Sequence, residues 1–206
     1  YLLRDLSPEE QTLFLKQGRA KLDNILQSIN RMLLQSTDAH GLRLNIKDIN
    51  LQEMLETLQQ KDHWSANKLF DIQIDFQSDD PMITGDRHFL LAVFQNFIDN
   101  ALKYSGDQVT IHITCTEPDV RHVQIKIEDN GFGISSKNLQ HVFERFHRGD
   151  YQENKEIKGH GQGLHYGRTV ILAHGGTIDI ESEEGKGTAI LVNLPRRANV
   201  KNKYKH

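Results

Sequence analysis

Two glycine clusters lie in the second half of this 206-residue sequence, "DNGFGI" at 129–134 and "GHGQGL" at 159–164. The first follows an alternating apolar pattern that predicts a strand, and the second precedes a pattern that predicts a helix. Glycine adopts positive φ and lets a backbone approach a ligand closely, while the N–H groups at a helix N-terminus favour phosphate. The two clusters therefore predict a fold of mixed strands and helices with two ligand-binding loops.

The region after residue 41 predicts an α+β domain. Asn50 and Glu53 have capping-box spacing and predict a helix start, whereas Ile72, Ile74 and Phe76 alternate as in a half-buried strand. We expect a two-layer α/β sandwich, in which a mixed, largely antiparallel sheet carries helices on one face. The other predicted segments are a helix over 85–106, strands over 109–115 and 123–127, short helices over 135–146 and 163–176, and a hairpin over 176–194.

The first 41 residues predict a long helix. Ser7 and Glu10 have capping-box spacing, and Pro8 occupies the first helical position. His40 and Gly41 predict its end. Apolar residues recur at heptad-like steps, which predicts either a seam for a partner helix or a helix lying on its own domain; they are Leu15, Leu22, Leu26, Ile29 and Leu33. The predicted organisation is a helical segment at 1–41, a mixed domain at 42–196 and a basic tail at 197–206.

Composition excludes several classes of function. With 37% hydrophobic and 26% charged residues, the chain is ordinary for a soluble protein, and no apolar run approaches the roughly 20 residues that cross a bilayer. A net charge of -3 argues against nucleic-acid binding, which usually needs a strongly basic surface. The single Cys115 excludes an internal disulfide, suits a reducing compartment and should pack in the core. We expect a cytoplasmic segment that contacts neither nucleic acid nor membrane, with any membrane anchor of the full-length protein lying outside it.

A polar stripe runs along the predicted helix over 85–106. Asn96, Asn100, Lys103 and Tyr104 fall at i, i+4, i+7 and i+8, so they share one face. Amide oxygens can ligate a hard cation such as magnesium, which usually also takes phosphate oxygens and water, and Lys103 can meet phosphate as a point charge. Taken alone, the stripe is equally compatible with a solvated surface. In the first cluster, Asp129 accepts hydrogen bonds without donating any, so it can select an amino group such as that of adenine.

The order of these motifs resembles the ATP-binding catalytic domain of sensor histidine kinases, within the ATPase superfamily that includes gyrase-type and heat-shock-chaperone ATPases. The resemblance covers roughly Asn45 to Pro195. In family terms "NFIDNALKYS" is similar to the N box, "DNGFGI" to the first glycine box, "FERFHR" to the phenylalanine box, "GHGQGL" to the second glycine box and "GT" at 187–188 to the third. It implies ATP and Mg²⁺ as ligands, with one glycine cluster holding the base and the other the phosphates.

The resemblance also implies roles for individual residues. It implies that Asn96 and Asn100 contact phosphate and magnesium. It also implies a catalytic set made of Asn96, Lys103 and Arg148. Asp129 becomes the adenine-reading carboxylate, and the segment 149–158 a lid. The remaining implied contacts are Tyr104, Gly131, Gly133, Ile134 and Thr188 around the base, Phe143 and Phe146 at the foot of the lid, and Arg145, Gly159, Gly161, Gly163 and Leu164 at the phosphates.

The family places a two-helix hairpin before this domain, which dimerises as a four-helix bundle and carries the phosphoacceptor histidine on its first helix. None of the eleven histidines is followed by the acidic residue and proline that mark the acceptor. Because the chain opens on Tyr1 rather than Met, we expect it to come from a longer protein with the acceptor upstream. The resemblance therefore implies a homodimer in the full-length protein and a response-regulator receiver domain as partner.

Three readings of function follow. The leading one is ATP-dependent phosphoryl transfer to a histidine. The second is a degenerate nucleotide-binding regulatory module, because Gln162 and His160 depart from the usual second glycine box. The third is gyrase-type hydrolysis, which needs a glutamate base where this chain has Asn96. Gly167, inside the following helix, costs about 1 kcal/mol relative to alanine and is expected to loosen that helix.

Overall fold

The computed structural model describes residues 42–60, 64, 68–145, 147 and 161–197, together with 7, 10–12, 14 and 18. The chain divides into two compact units, Tyr1–Thr37 and Asp38–His206. In the first unit the predicted capping box is confirmed, since the Glu10 N–H donates to Ser7 Oγ at 3.3 Å and the Ser7 N–H donates to Glu10 Oε2 at 2.8 Å. The predicted seam from Leu15 to Leu33 and the predicted helix end at 40–41 lie outside the described residues, and the domain limits stay predictions.

The second unit contains two sheets. In chain order their strands are β1 (Lys47–Asn50), β2 (Leu69–Phe76), β3 (Met82–Gly85), β4 (Gln108–Asp119), β5 (His122–Asp129), β6 (Thr177–Glu183) and β7 (Gly187–Pro195). The larger sheet has the order β2-β4-β5-β7-β6, in which only the β2–β4 pair is parallel. The mixed, largely antiparallel sheet is therefore confirmed. The small antiparallel pair β1–β3 was not predicted.

Four α-helices accompany the strands in the described part of this unit: α1 (Leu51–Glu56), α2 (Arg87–Lys103), α3 (Ser136–Leu139) and α4 (Gly163–Ala173). The predicted cap of α1 is confirmed, because the Glu53 N–H donates to the Asn50 side chain at 3.1 Å. Asp86 caps α2 by accepting from the N–H groups of His88 and Phe89. The predicted helix over 135–146 is too long, because α3 ends at Leu139 and turns follow it.

One face of the large sheet is apolar and the other is polar. Along β4, Ile111, Ile113 and Cys115 are fully buried, whereas His112 between them is exposed. The same alternation along β5 and β7 extends the buried face, and the helices supply its second layer. Cys115 packs in this core as predicted, and burial raises the pKa of its thiol to about 12, so the sulfur stays protonated and unreactive at neutral pH.

Gly167 lets α4 lie directly on α2. A Cβ at this position would sit 2.6 Å from two atoms of the Phe97 ring and 3.5 Å from Val93 Cγ1. Phe97 is only 1% exposed, so its ring has little room to retreat. The expectation that Gly167 loosens its helix is therefore incomplete, because the missing side chain allows the close helix contact that positions the start of α4.

Candidate nucleotide-binding site

Three polar residues continue the apolar face of the sheet at one end. Asp129 on β5 is directly opposite Thr188 on β7, and Thr188 is directly opposite Ser182 on β6. Side chains two residues apart on a strand share a face, so this row continues the stripes of Ile127 and Ile190. Directly opposed residues have Cβ atoms about 4.5–5.5 Å apart. The end of the core face thus presents a row of side-chain oxygens.

The Asp129 carboxylate is fixed by backbone donors. Its Oδ1 accepts from the Gly131 N–H at 2.8 Å. Burial raises the pKa of Asp129, while hydrogen bonds from the backbone N–H groups of Gly131 and Thr188 act in the opposite direction. A half-buried carboxylate held in this way is an oriented acceptor, and its recognition of an amino group stays a prediction.

The first glycine cluster packs against the end of α2. A Cβ at Gly131 would lie 2.5 Å from the Tyr104 carbonyl oxygen, and that oxygen accepts from the Phe132 N–H at 2.8 Å. Any side chain at 131 would separate the loop from the helix. Tyr104 and Gly131, predicted to lie near one ligand, are therefore neighbours, and the contact joins the end of the polar helix to the carboxylate loop.

The same cluster also meets the β6–β7 hairpin. Gly133 has φ 69°, and a Cβ there would lie 2.0 Å from the Glu183 carbonyl oxygen. Gly187 has φ 115°, and a Cβ there would lie 1.9 Å from the Asp129 carbonyl oxygen. Both positions need glycine for conformation and for space. The first and third glycine boxes therefore pack directly against each other. The two motifs, which are separate in the sequence, did not predict this contact.

The second glycine cluster lies against the asparagine stripe. A Cβ on Gly163, the first residue of α4, would sit 3.6 Å from both Asn96 Oδ1 and Asn100 Nδ2. Asn96 is 5% exposed and donates through Nδ2 to the Ala92 carbonyl at 2.7 Å. The amide oxygen of Asn96 is therefore left as the acceptor on the Gly163 side. The structure brings together the two motifs that the sequence assigned to phosphate and magnesium.

Lys103 lies at the far end of the stripe and is paired with Asp99, one helical turn earlier. Both side chains are substantially exposed, so the pair contributes little to stability. The Lys103 ammonium is thus engaged by the Asp99 carboxylate, and its contact with phosphate stays a prediction. The i,i+4 spacing of Asp99 and Lys103 is visible in the sequence and favours this ion pair, which was not predicted.

The phenylalanine box is tied to α4 by a chain of hydrogen bonds. Arg145 Nε donates to His165 Nε2 at 2.9 Å, and His165 Nδ1 donates to the Phe143 carbonyl at 3.0 Å. The Arg168 guanidinium lies 5.4 Å from the centroid of the Phe143 ring. His165 and Arg168 were missed, although their i,i+3 spacing just after the glycine cluster places them on one helix face.

Some of the remaining predicted contact residues are described by the structure, and others lie outside the described residues. Gly161 has φ 65° and leads into α4, whose first turn contains the half-buried Leu164. Ile134, also half-buried, donates its N–H to Ser182 Oγ at 2.9 Å. No described helix is long and apolar enough to cross a membrane. Phe146, Arg148, the segment 149–158, Gly159 and His160 lie outside the described residues.

Comparison with known proteins identifies the family of this domain. The model for the family described as histidine kinase-, DNA gyrase B- and HSP90-like ATPase matches residues 85–198, more than half of the chain. Over 177 residues the chain is 33% identical to the sensor protein SrrB of Staphylococcus aureus, an overlap of 85% of this chain and 29% of SrrB. The chain carries the ATPase domain of a sensor histidine kinase. It spans less than a third of the length of the SrrB sequences that it matches.

Solved structures of other histidine kinases share this fold. The mycobacterial sensor histidine kinase MprB has a TM-score of 0.56 and 26% identity, over 76% of this chain and 99% of the solved one. The catalytic domain of histidine kinase ThkA, in a nucleotide-free form, has a TM-score of 0.61 and 24% identity, over 74% and 99%. The expected α+β histidine kinase fold is confirmed.

Proposed function

We propose that this domain binds Mg-ATP and transfers the γ-phosphate to a histidine, from which a response-regulator receiver domain takes it onto an aspartate. The observation that carries the proposal is the contact of Gly163 with the amides of Asn96 and Asn100, where a Cβ would lie 3.6 Å from each. It puts a helix N-terminus, which favours phosphate, beside two side chains that can hold a hard cation.

Adenine binds at the end of the core face. The Asp129 carboxylate accepts the exocyclic amino group, and Thr188 lies beside it on the neighbouring strand. Glycine at 131 and 133 keeps the loop tight against α2 and the hairpin. Ile134 and Tyr104 supply apolar surface for the base. Aspartate suits this role because an ionised carboxylate has no proton to offer a carbonyl group.

Magnesium is the cation that these residues fit. Mg²⁺ usually takes one or two protein oxygens together with phosphate oxygens and water, so the amide oxygens of Asn100 and Asn96 suffice for its protein side. Asn100 is the principal ligand, because Asn96 is more buried and already bonded through its nitrogen. When bound, the ion neutralises charge on the β- and γ-phosphates.

Phosphate oxygens are met by backbone and by cations. Gly163, the first residue of α4, lies beside the asparagine stripe, and Lys103 adds positive charge from α2, the helix that carries the stripe. Asn96, Lys103 and Arg148 are proposed to hold the γ-phosphate as the acceptor imidazole attacks in line. The further phosphate contacts in this proposal are the Arg145 side chain and the backbone of Gly159, Gly161, Gly163 and Leu164, while Phe143 anchors the foot of the lid.

The acceptor and the relay belong to the longer protein. Since none of the eleven histidines has the acceptor setting, we place the phosphoacceptor upstream of Tyr1, on a helical hairpin that dimerises in the cytoplasm. Hydrolysis of the gyrase type is disfavoured, because Asn96 is an amide and cannot accept a proton from water.

Labelled ATP tests the transfer. We expect this chain alone to acquire no acid-labile label, and a longer protein with the upstream helix to become labelled. Asn100→Ala in the longer protein should abolish labelling, whereas His88→Ala, exposed in the first turn of the same helix, should leave it intact. A longer protein that binds ATP yet stays unlabelled would favour the regulatory-module reading, with Gln162 and His160 the first residues to revert.

A further inference from the structure

The hydroxyl of Ser182 has three partners within hydrogen-bond distance. Its oxygen lies 2.9 Å from the Ile134 nitrogen, 2.8 Å from the Gly187 carbonyl oxygen and 3.0 Å from Thr188 Oγ1. Ser182 thereby joins the first glycine cluster to the third at the row that contains Asp129. No sequence motif predicted a role for Ser182.

The chemistry of the partners settles the direction of each bond. A serine hydroxyl has one proton to donate and two lone pairs with which to accept. The Ile134 N–H can only donate, and the Gly187 carbonyl can only accept. The Ser182 proton therefore goes to Gly187, and the bond between the two hydroxyls is one in which Thr188 donates to Ser182.

This arrangement determines what Thr188 can offer to a ligand. With its proton committed to Ser182, Thr188 Oγ1 presents only lone pairs, and the directly opposed Asp129 is also an acceptor. We propose that Ser182 is a positioning residue for base specificity: it locks Thr188 as a second acceptor, so that the site selects a purine with an amino group at position 6 over one with a carbonyl group. The inference rests on the proposed function and deepens it.

The selectivity depends on weak binding of the 6-oxo purine as much as on favourable binding of the 6-amino purine. A 6-amino group can donate to an acceptor-only site, whereas a 6-oxo group meets lone pairs with lone pairs and loses its hydration without compensation. If the Thr188 hydroxyl were free to rotate, it could donate its proton to the oxo group and soften this rejection. Ser182, on the side of Thr188 away from Asp129, removes that freedom.

The test compares ATP with inosine triphosphate, which has a 6-oxo group, by isothermal titration with magnesium. The readout is the ratio of the two dissociation constants. Ser182→Ala should reduce the ratio of the inosine triphosphate dissociation constant to the ATP dissociation constant about fivefold, the size expected for one neutral hydrogen bond. Most of the change should come from tighter binding of inosine triphosphate. Ser182→Thr, which keeps the hydroxyl, should retain the wild-type ratio.

Thr188→Val provides the matched control, because it keeps the Ser182 bonds to Ile134 and Gly187. It should narrow the ratio by itself, and adding Ser182→Ala should narrow it no further. An unchanged ratio in Thr188→Val overturns the inference even if Ser182→Ala fails to fold. Equal weakening of both nucleotides in Ser182→Ala would assign Ser182 a merely structural role.

The same titrations separate this inference from the proposed function. A wild-type chain that binds neither nucleotide refutes the proposed function and removes the basis of the inference. A wild-type chain that binds ATP with magnesium, combined with a ratio insensitive to both substitutions, refutes the inference alone.

Discussion

The imidazole of His174, at the end of α4, accepts a hydrogen bond through Nε2 from the Asp86 N–H at 3.0 Å, just before α2 begins. Its Nδ1 donates to the Val170 carbonyl at 2.8 Å. The ring is 1% exposed, and burial lowers its pKa. His174 is therefore a neutral connector between the two helices that hold the asparagine stripe and the second glycine cluster.

Acid should weaken this connector. The folded-state pKa of His174 lies below its ordinary value, so its contribution to stability is present above about pH 6.5. That contribution is lost as the pH falls from about 6.5 through the folded-state pKa, because the protonated Nε2 can no longer accept from Asp86. Urea unfolding at pH 7.5 and 5.5 should show a larger loss for the wild type than for His174→Gln. Equal losses in the two proteins would contradict this role.

Gly167→Ala tests the contact between α2 and α4. Overpacking a core costs about 1–3 kcal/mol and alanine restores about 1 kcal/mol of helix propensity, so we expect a net loss of about 1 kcal/mol in the free energy of unfolding. Gly106→Ala is the control, because no atom lies within 4 Å of its Cβ position. If Gly167→Ala has wild-type stability in urea, the Phe97 ring can move aside at little cost, and the close contact does not require glycine.

Arg196 joins distant segments of the fold. Its guanidinium donates to the carbonyls of Asp80 and Met82 at 2.8 and 3.0 Å and to Ser78 Oγ at 3.0 Å, and it pairs with Glu117. Arg196→Met should lower the free energy of unfolding by about 1 kcal/mol, because the half-buried guanidinium loses its hydrogen bonds to residues 78–82 and its ion pair with Glu117. The exposed neighbour in Arg197→Met should change it by less than about 0.5 kcal/mol. Similar urea midpoints for both variants would refute the role of Arg196.

Asp129→Asn separates recognition from folding. We expect ATP affinity to fall about tenfold or more, because a charged acceptor bond contributes about 1.5–3 kcal/mol. Stability should not fall, since burial already disfavours the charged carboxylate. Glu128→Gln, one residue earlier on the polar face, should keep wild-type affinity in the same titration. An Asp129→Asn chain that binds ATP normally would exclude Asp129 as the base-reading residue.

Local patterns explain which features were predictable. The caps at Ser7 and Asn50, the stripe from Asn96 to Tyr104 and the alternating strands each depend on spacings of two to eight residues. The fold class came from the order of motifs and the family resemblance, which also assigned Gly163 and the asparagines to the same phosphates. These features need no knowledge of which strand pairs with which.

Long-range features were not predictable in this way. The β1–β3 pair joins two four-residue strands with residues 51–81 between them, and neither strand alternates long enough to identify its partner. Ser182 acquires its full set of partners only when the first glycine cluster, 48 residues earlier in the chain, brings the Ile134 N–H to its hydroxyl. Gly167 and Arg196 likewise depend on contacts that no short window of sequence contains.

The central claim is that Asn100 holds magnesium against the phosphates of ATP beside the N-terminus of α4. Isothermal titration with ATP, with magnesium and then with a chelator, tests it most directly. We predict one site per chain that needs magnesium, loss of the magnesium effect in Asn100→Ala, and wild-type behaviour in His88→Ala. An Asn100→Ala chain that binds Mg-ATP as the wild type does, or wild-type binding that ignores magnesium, would contradict the account.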